Sequence, residues 1–94
     1  MRMLRLFVGA AALLAVTVPA VAASQADWDA CNGDDPDRSI AACTRIIERP
    51  GETAKNYAAA RHQRGLAYRA KGDLDRAIAD LTEAVRLDPK YAEA

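Results

Sequence analysis

The chain has 94 residues, with 13 basic against 13 acidic side chains, a formal net charge of zero and no basic run or stripe. That length allows at most one small domain, and the charge balance gives nucleic-acid binding no electrostatic support. Alanine is abundant, aromatic residues are 5% of the chain, and runs of Val, Ile and Thr are absent beyond the N-terminal segment, which favours an all-α fold.

The N-terminal segment reads MRMLRLFVGAAALLAVTVPAVAA. Arg2 and Arg5 give a positive start, Leu6 to Val18 is uncharged and apolar, Pro19 breaks the run, and Ala20-Val21-Ala22 is a small-x-small site. These are the parts of a secretory signal peptide, so residues 1–22 are expected to be removed, with cleavage after Ala22 or Ala23. The apolar core is short for a span of about 20 residues, so no stable membrane anchor is expected after cleavage. The mature chain then carries 11 basic residues (13 less Arg2 and Arg5) against 13 acidic ones. The expected location is outside the cytoplasm, in a bacterial periplasm, where disulfides persist.

Next come four helical segments. The first is short, about Gln25 to Cys31, and carries Trp28 as a packing residue, with ligand stacking as the alternative. The second runs from about Asp37 to Ile47. After the linker ERPGETAKN, a third starts from Thr53 or Asn56, runs from about Tyr57 to Ala70 and ends at Lys71-Gly72. The fourth is capped by Asp73, starts near Leu74 and stops at Asp88-Pro89. Ala77, Ile78, Leu81, Ala84 and Val85 fall on one face of it.

Little of this pattern suggests reaction chemistry. His62 is the single histidine and lacks a motif partner. The glycines are isolated, so no phosphate loop forms. Asp34, Asp35 and Asp37 cluster, but the twelfth position counted from Asp34 is Arg45, where a calcium loop needs Glu. Cys31 and Cys43 have neither the four-ligand pattern of structural zinc nor a C-x-x-C redox spacing. No metal and no cofactor are expected, and an even cysteine pair in an exported chain reads first as a bridge.

The chain also repeats itself. DRSIAACTRII, from Asp37 to Ile47, aligns without gaps on DRAIADLTEAV, from Asp75 to Val85, at an offset of 38. The stretch from Ala58 to Tyr91 resembles a tetratricopeptide repeat (TPR): it supplies Gly65, Tyr68, Ala77, Leu81, Ala84 and Pro89 at the family's spacing. It departs from the pattern at Arg61 and Arg64, where the family has large apolar residues; arginine stems can cover apolar surface while their heads reach water.

The resemblance implies antiparallel helical hairpins stacked as a short TPR-like solenoid. Residues 23–56 would be a degenerate first hairpin with its linker, and 57–94 the TPR unit plus the start of a further repeat at Ala92-Glu93-Ala94. It implies protein–protein interaction through the first-helix face, with Ala59, His62, Leu66, Arg69 and Ala70 exposed there. His62 and Arg69 would hold a carboxylate and Leu66 an apolar side chain; the family's Lys and Asn carboxylate clamp is missing. At offset 38, Cys43 matches Leu81, and Cys31 matches Arg69, or Tyr68 if the first turn is one residue longer. Tyr68 and Leu81 are expected to be neighbours, so Cys31 and Cys43 would staple the weak hairpin covalently. At offset 37, Trp28 would stand in for Gly65. The functional expectation is an exported interaction module without catalysis of its own, able to self-associate through an uncapped C-terminal end. The alternative is an accessory domain, or N-terminal fragment, of a longer exported enzyme.

Overall fold

The computed structural model describes residues 23–93; the signal-peptide reading of residues 1–22 lies outside them. Four α-helices follow one another, α1 (Gln25–Cys31), α2 (Pro36–Glu48), α3 (Ala54–Ala70) and α4 (Leu74–Leu87), and a 3₁₀ segment, Pro89–Glu93, closes the chain. There is no strand among the described residues. Each helix packs mainly on its neighbours in sequence, α1 on α2, α2 on α3 and α3 on α4. That is the nearest-neighbour order of a repeat array.

Local chemistry explains where each helix starts. The Ser24 hydroxyl accepts the Asp27 amide, the Asp35 carboxylate accepts those of Asp37 and Arg38, the Thr53 hydroxyl accepts that of Asn56 and the Asp73 carboxylate accepts that of Arg76. Each cap satisfies amides that a helix start leaves unpaired. Pro36 suits the first turn of α2, where no intrahelical amide is needed. Thr53 rather than Asn56 caps α3, so that helix begins at Ala54, within the stretch read as linker. Gly72 follows the α3 C-cap with φ +84°, and Gly51 takes φ +100° in the linker; both are conformations that glycine adopts without steric cost. The linker is tied down by Tyr57, whose hydroxyl donates to the Arg49 carbonyl and accepts the Glu52 amide.

The core is thin and made of small side chains. Cys31, Ala42, Cys43, Ile46 and Ala60 form it, with Ala23, Trp28, Ala30 and Ile47 packed around them. Trp28 therefore works as a packing residue. Cys31 and Cys43 form a disulfide across the first hairpin, with Cα atoms 4.8 Å apart, within the range a bridge requires. Both cysteines are essentially inaccessible to solvent.

Two sequence expectations need correction. First, the α1–α2 turn reads CNGDD where the α3–α4 turn reads AKGD. The helix ends align Cys31 with Ala70, and the first turn holds one extra Asp. An inserted residue moves the preceding helix toward higher partner numbers, so Cys31 matches neither Arg69 nor Tyr68, and Trp28 falls on Ala67 rather than Gly65. Second, Ile78 is not on the packed face; it is 63% exposed. Leu81 sits over Gly65: a Cβ built on Gly65 would lie 2.8 Å from Leu81 Cγ and 3.3 Å from the Ala77 carbonyl oxygen. Gly65 is thus required by the close approach of α3 and α4. Tyr68 has the guanidinium groups of Arg64 and Arg76 each 5.8 Å from its ring centroid.

Arg61 and Arg64 do more than cover apolar surface. Both reach the buried Asp80 carboxylate of α4, Arg61 at 3.0 Å and Arg64 through two bonds of 2.7 and 2.8 Å. Arg64 also donates to Thr44 Oγ1 of α2 at 2.9 Å. The Asp80 hydrogen bond, more than offsetting desolvation, raises the Arg64 pKa. The first hairpin contains a similar arrangement with the helices exchanged: Asp27 on α1 takes Arg45 and Arg49 from α2. The Arg45 hydrogen bond holds the Asp27 carboxyl below its ordinary pKa.

Two stability predictions follow from these contacts. Replacing both cysteines by serine should lower unfolding free energy by about 3 kcal/mol, the loop-closure value for a bridge of this span; urea denaturation of wild type, reduced wild type and the double variant checks it. Asp80→Ala should cost roughly 3 kcal/mol by stranding two half-buried guanidinium groups. Leucine at positions 61, 64 and 80 together should recover most of that loss in the same assay, since apolar replacement of a whole buried ionic cluster is often neutral.

Candidate functional site

α3 places His62, Leu66 and Arg69 at i, i+4 and i+7, along one side of the helix. With Leu81 and Val85 from α4, and Tyr91 and Ala92 from the 3₁₀ segment, they line one cleft of about 350 Å³. The structure therefore brings all three groove candidates together. Of the other two, Ala59 is half-buried and Ala70 is exposed. Ala70 lines a second cleft of about 250 Å³, bordered by Asn32, Ser39 and Gln63. Leu66 borders both clefts.

His62 and Arg69 do not act as a pair of cations. The His62 ring stacks on Tyr91, with centroids 4.8 Å apart and planes inclined by 30°. Burial lowers the His62 pKa, and the nearby Arg69 charge lowers it further. The imidazole is therefore neutral near pH 7, and Arg69 supplies the formal charge on this wall. Lys90 adds a second cation at the rim, its ammonium 5.6 Å from the Tyr91 ring centroid. The cleft can thus meet an apolar side chain at Leu66, Leu81 and Val85 and an anionic group at Arg69.

In the sequence Tyr91 is legible only as the last residue of the repeat. Its role as a wall depends on the 3₁₀ turn after Pro89, in which the Tyr91 amide donates to the Asp88 carbonyl at 3.1 Å. The acidic turn has a structural account. Asp35 caps α2 and Asp37 pairs with Lys71 of α3 at 2.6 Å. Among the described residues, no three His, Cys, Asp or Glu side chains are arranged to hold a metal ion.

The tetratricopeptide repeat family matches residues 58–91, the segment that contains α4, most of α3, the Gly65–Leu81 contact and three residues of the 3₁₀ turn. The chain carries a tetratricopeptide repeat. A relative, an "FK506-binding protein-like" protein of Rattus norvegicus, is 41% identical over 60 residues, which is 63% of this chain and 16% of that protein. The chain is thus similar to a small part of a much longer relative. No solved structure matches the chain. Repeats of this family generally bind other proteins, and the all-helical hairpins described above fit that class of molecule.

The His62 environment gives a pH prediction. Because folding favours the neutral ring, His62 contributes stability that is complete above its ordinary pKa of about 6.5 and is lost as pH falls toward the folded value. NMR titration of this single histidine should give a midpoint below the ordinary value, and Arg69→Ala should move it upward by removing the adjacent charge. A midpoint at or above the ordinary value would contradict the stacked, desolvated placement.

Proposed function

We propose that the protein is an exported interaction module that binds a segment of another protein in the groove along α3, and that it catalyses nothing itself. The observation that carries this reading is the cleft in which His62, Leu66 and Arg69 meet Leu81, Val85 and Tyr91. Arg69 would pair with a carboxylate of the bound segment, and Leu66 would receive an apolar side chain. Apolar surface with one or two placed polar groups is the usual composition of a specific small site.

Export is supported by the N-terminal pattern and by the oxidised cysteine pair. One contact also favours cleavage after Ala22 over cleavage after Ala23. The Ala23 backbone nitrogen lies 3.3 Å from Glu52 Oε2, and Asn56 holds the other Glu52 oxygen at 2.8 Å. Cleavage after Ala22 would turn that nitrogen into an ammonium facing an oriented carboxylate, whereas cleavage one residue later would remove Ala23 from the edge of the core.

A second reading is that the helices are an accessory domain of a longer exported enzyme; the 16% share of the relative that this chain matches supports only its part in a longer protein. The mass and N-terminal sequence of protein purified from the producing cell's envelope fraction test both export and length. A mature N-terminus at Ala23 is expected, and an unprocessed N-terminus removes the export reading. Where the mass shows sequence beyond residue 94, further repeats favour the module and a different domain favours the accessory reading. Affinity capture with the oxidised mature protein tests the groove. Arg69→Glu should reduce recovery of bound protein at least tenfold, through reversal of a charge at the site centre; unchanged recovery would dismiss the groove.

A further inference from the structure

The two hairpins present the same face in two conditions, one covered and one open. On α2, Asp37 and Thr44 bond to Lys71 and Arg64, Ile47 shares a cleft with Tyr57 and Arg61, and Ile40 lies on the same side by helical spacing; at offset 38 their counterparts on α4 are Asp75, Thr82, Val85 and Ile78. The N-caps Asp35 and Asp73 keep the same offset, so the correspondence is structural as well as sequential. Ile40 and Thr44 are half-buried, whereas Thr82 is exposed and Ile78 is 63% exposed.

The cover on α2 is chemically specific. α3 runs antiparallel to it and donates from Lys71 to Asp37 at 2.6 Å and from Arg64 to Thr44 at 2.9 Å. Between and beyond these cations lie the buried small residues Ala60 and Ala67. The covering stripe is therefore Ala60, Arg64, Ala67 and Lys71, at i, i+4, i+7 and i+11, which is one side of a helix. On α4 both acceptors of that stripe are repeated. Asp75 and Thr82 have no side-chain hydrogen bond or ion pair with another described residue. Leu74, 57% exposed, extends the apolar part of the face.

We propose that the outer face of α4 binds one α-helix of a protein partner, antiparallel to α4, with small apolar residues against Ile78 and Val85, a cation on Asp75 and a hydrogen-bond donor on Thr82. The partner stripe is small–x3–cation–x2–small–x3–cation, the pattern α3 uses on α2. This proposal rests on the reading of the chain as an interaction module; its face shares Val85 with the Arg69 cleft, but Asp75, Ile78 and Thr82 lie outside that cleft's lining.

The test uses the intact oxidised protein and a synthetic peptide with the sequence of residues 53–71, which contains the stripe. Titration followed by residue-resolved NMR should shift Ile78, Thr82 and Val85 and leave Ile40 and Thr44 unmoved. Ile78→Asp should weaken binding by about tenfold, through charge placed against apolar surface. Asp75→Lys should weaken it by about threefold, and a peptide with Lys71→Glu should restore that loss. Ile78 lies outside the cleft lining, so Ile78→Asp should leave capture at the groove unchanged while it weakens peptide binding, and failure of one surface is distinguishable from failure of the other. Absence of saturable shifts at roughly 1 mM peptide, or shifts indifferent to Asp75→Lys, would overturn the proposal. Sedimentation that shows a dimer without peptide, dissociated by Ile78→Asp, would assign the face to a second copy of the chain and overturn it equally.

Discussion

The carboxylate of Asp80 sets the arrangement of the second hairpin and ties it to the first. It is 2% exposed, and a charge so placed is tolerated only when its oxygens are fully engaged. Arg61 and Arg64, both on α3, provide that engagement, and Arg64 extends it to Thr44 on α2. Three helices are thereby fixed in one register by a single side chain. Apolar packing alone would specify this register weakly, because the core is built from alanine and cysteine with Ile46 the largest wholly buried side chain. A small core contributes little apolar area, and directional ion pairs select an arrangement more effectively than they add stability. Asp27, with Arg45 and Arg49, applies the same solution within the first hairpin.

Much of the fold was legible because helix boundaries are local. Asp73 before an apolar-periodic run, Pro89 after it and Lys71-Gly72 between helices mark ends through chemistry contained in a few neighbouring residues. The repeat was legible because its two second helices align without gaps. What escaped was non-local. The pairing of Arg64 with Asp80 spans 16 positions and joins two helices, so no i,i+4 rule exposes it, and arginines at apolar positions read as departures from a pattern. The extra Asp in the first turn escaped for a related reason: the gapless alignment covers only the helix after that turn and is silent about the helix before it. The spacing of His62, Leu66 and Arg69 placed them on one face. It could not reveal that Tyr91 folds back over His62, because that contact depends on a 3₁₀ turn beyond the helix-ending proline.

The two ends of the array are treated differently. α1 has only seven residues, too few to hold itself by packing along its length. The Cys31–Cys43 bridge fixes it by a covalent constraint that acts chiefly on the unfolded chain, and such a bridge persists only where the surroundings are oxidising. The opposite end carries no such device. Leu74 and Ile78 remain exposed there, next to an Asp75 without a partner among the described residues. Among the described residues, one end of the array is closed by a bridge and the other leaves apolar side chains exposed.

That opening bears on the cleft, because the two surfaces share material. Leu81 and Val85 line the cleft beside His62 and Arg69, and Val85 also belongs to the open face of α4. A helix seated on that face would cover Val85 from outside and extend the wall against which a segment in the cleft rests. The more apolar surface a bound segment finds there, the more of its own it can bury, and burial contributes in proportion to area. A segment in the cleft and a helix on the proposed face would thus meet at one shared wall residue, Val85.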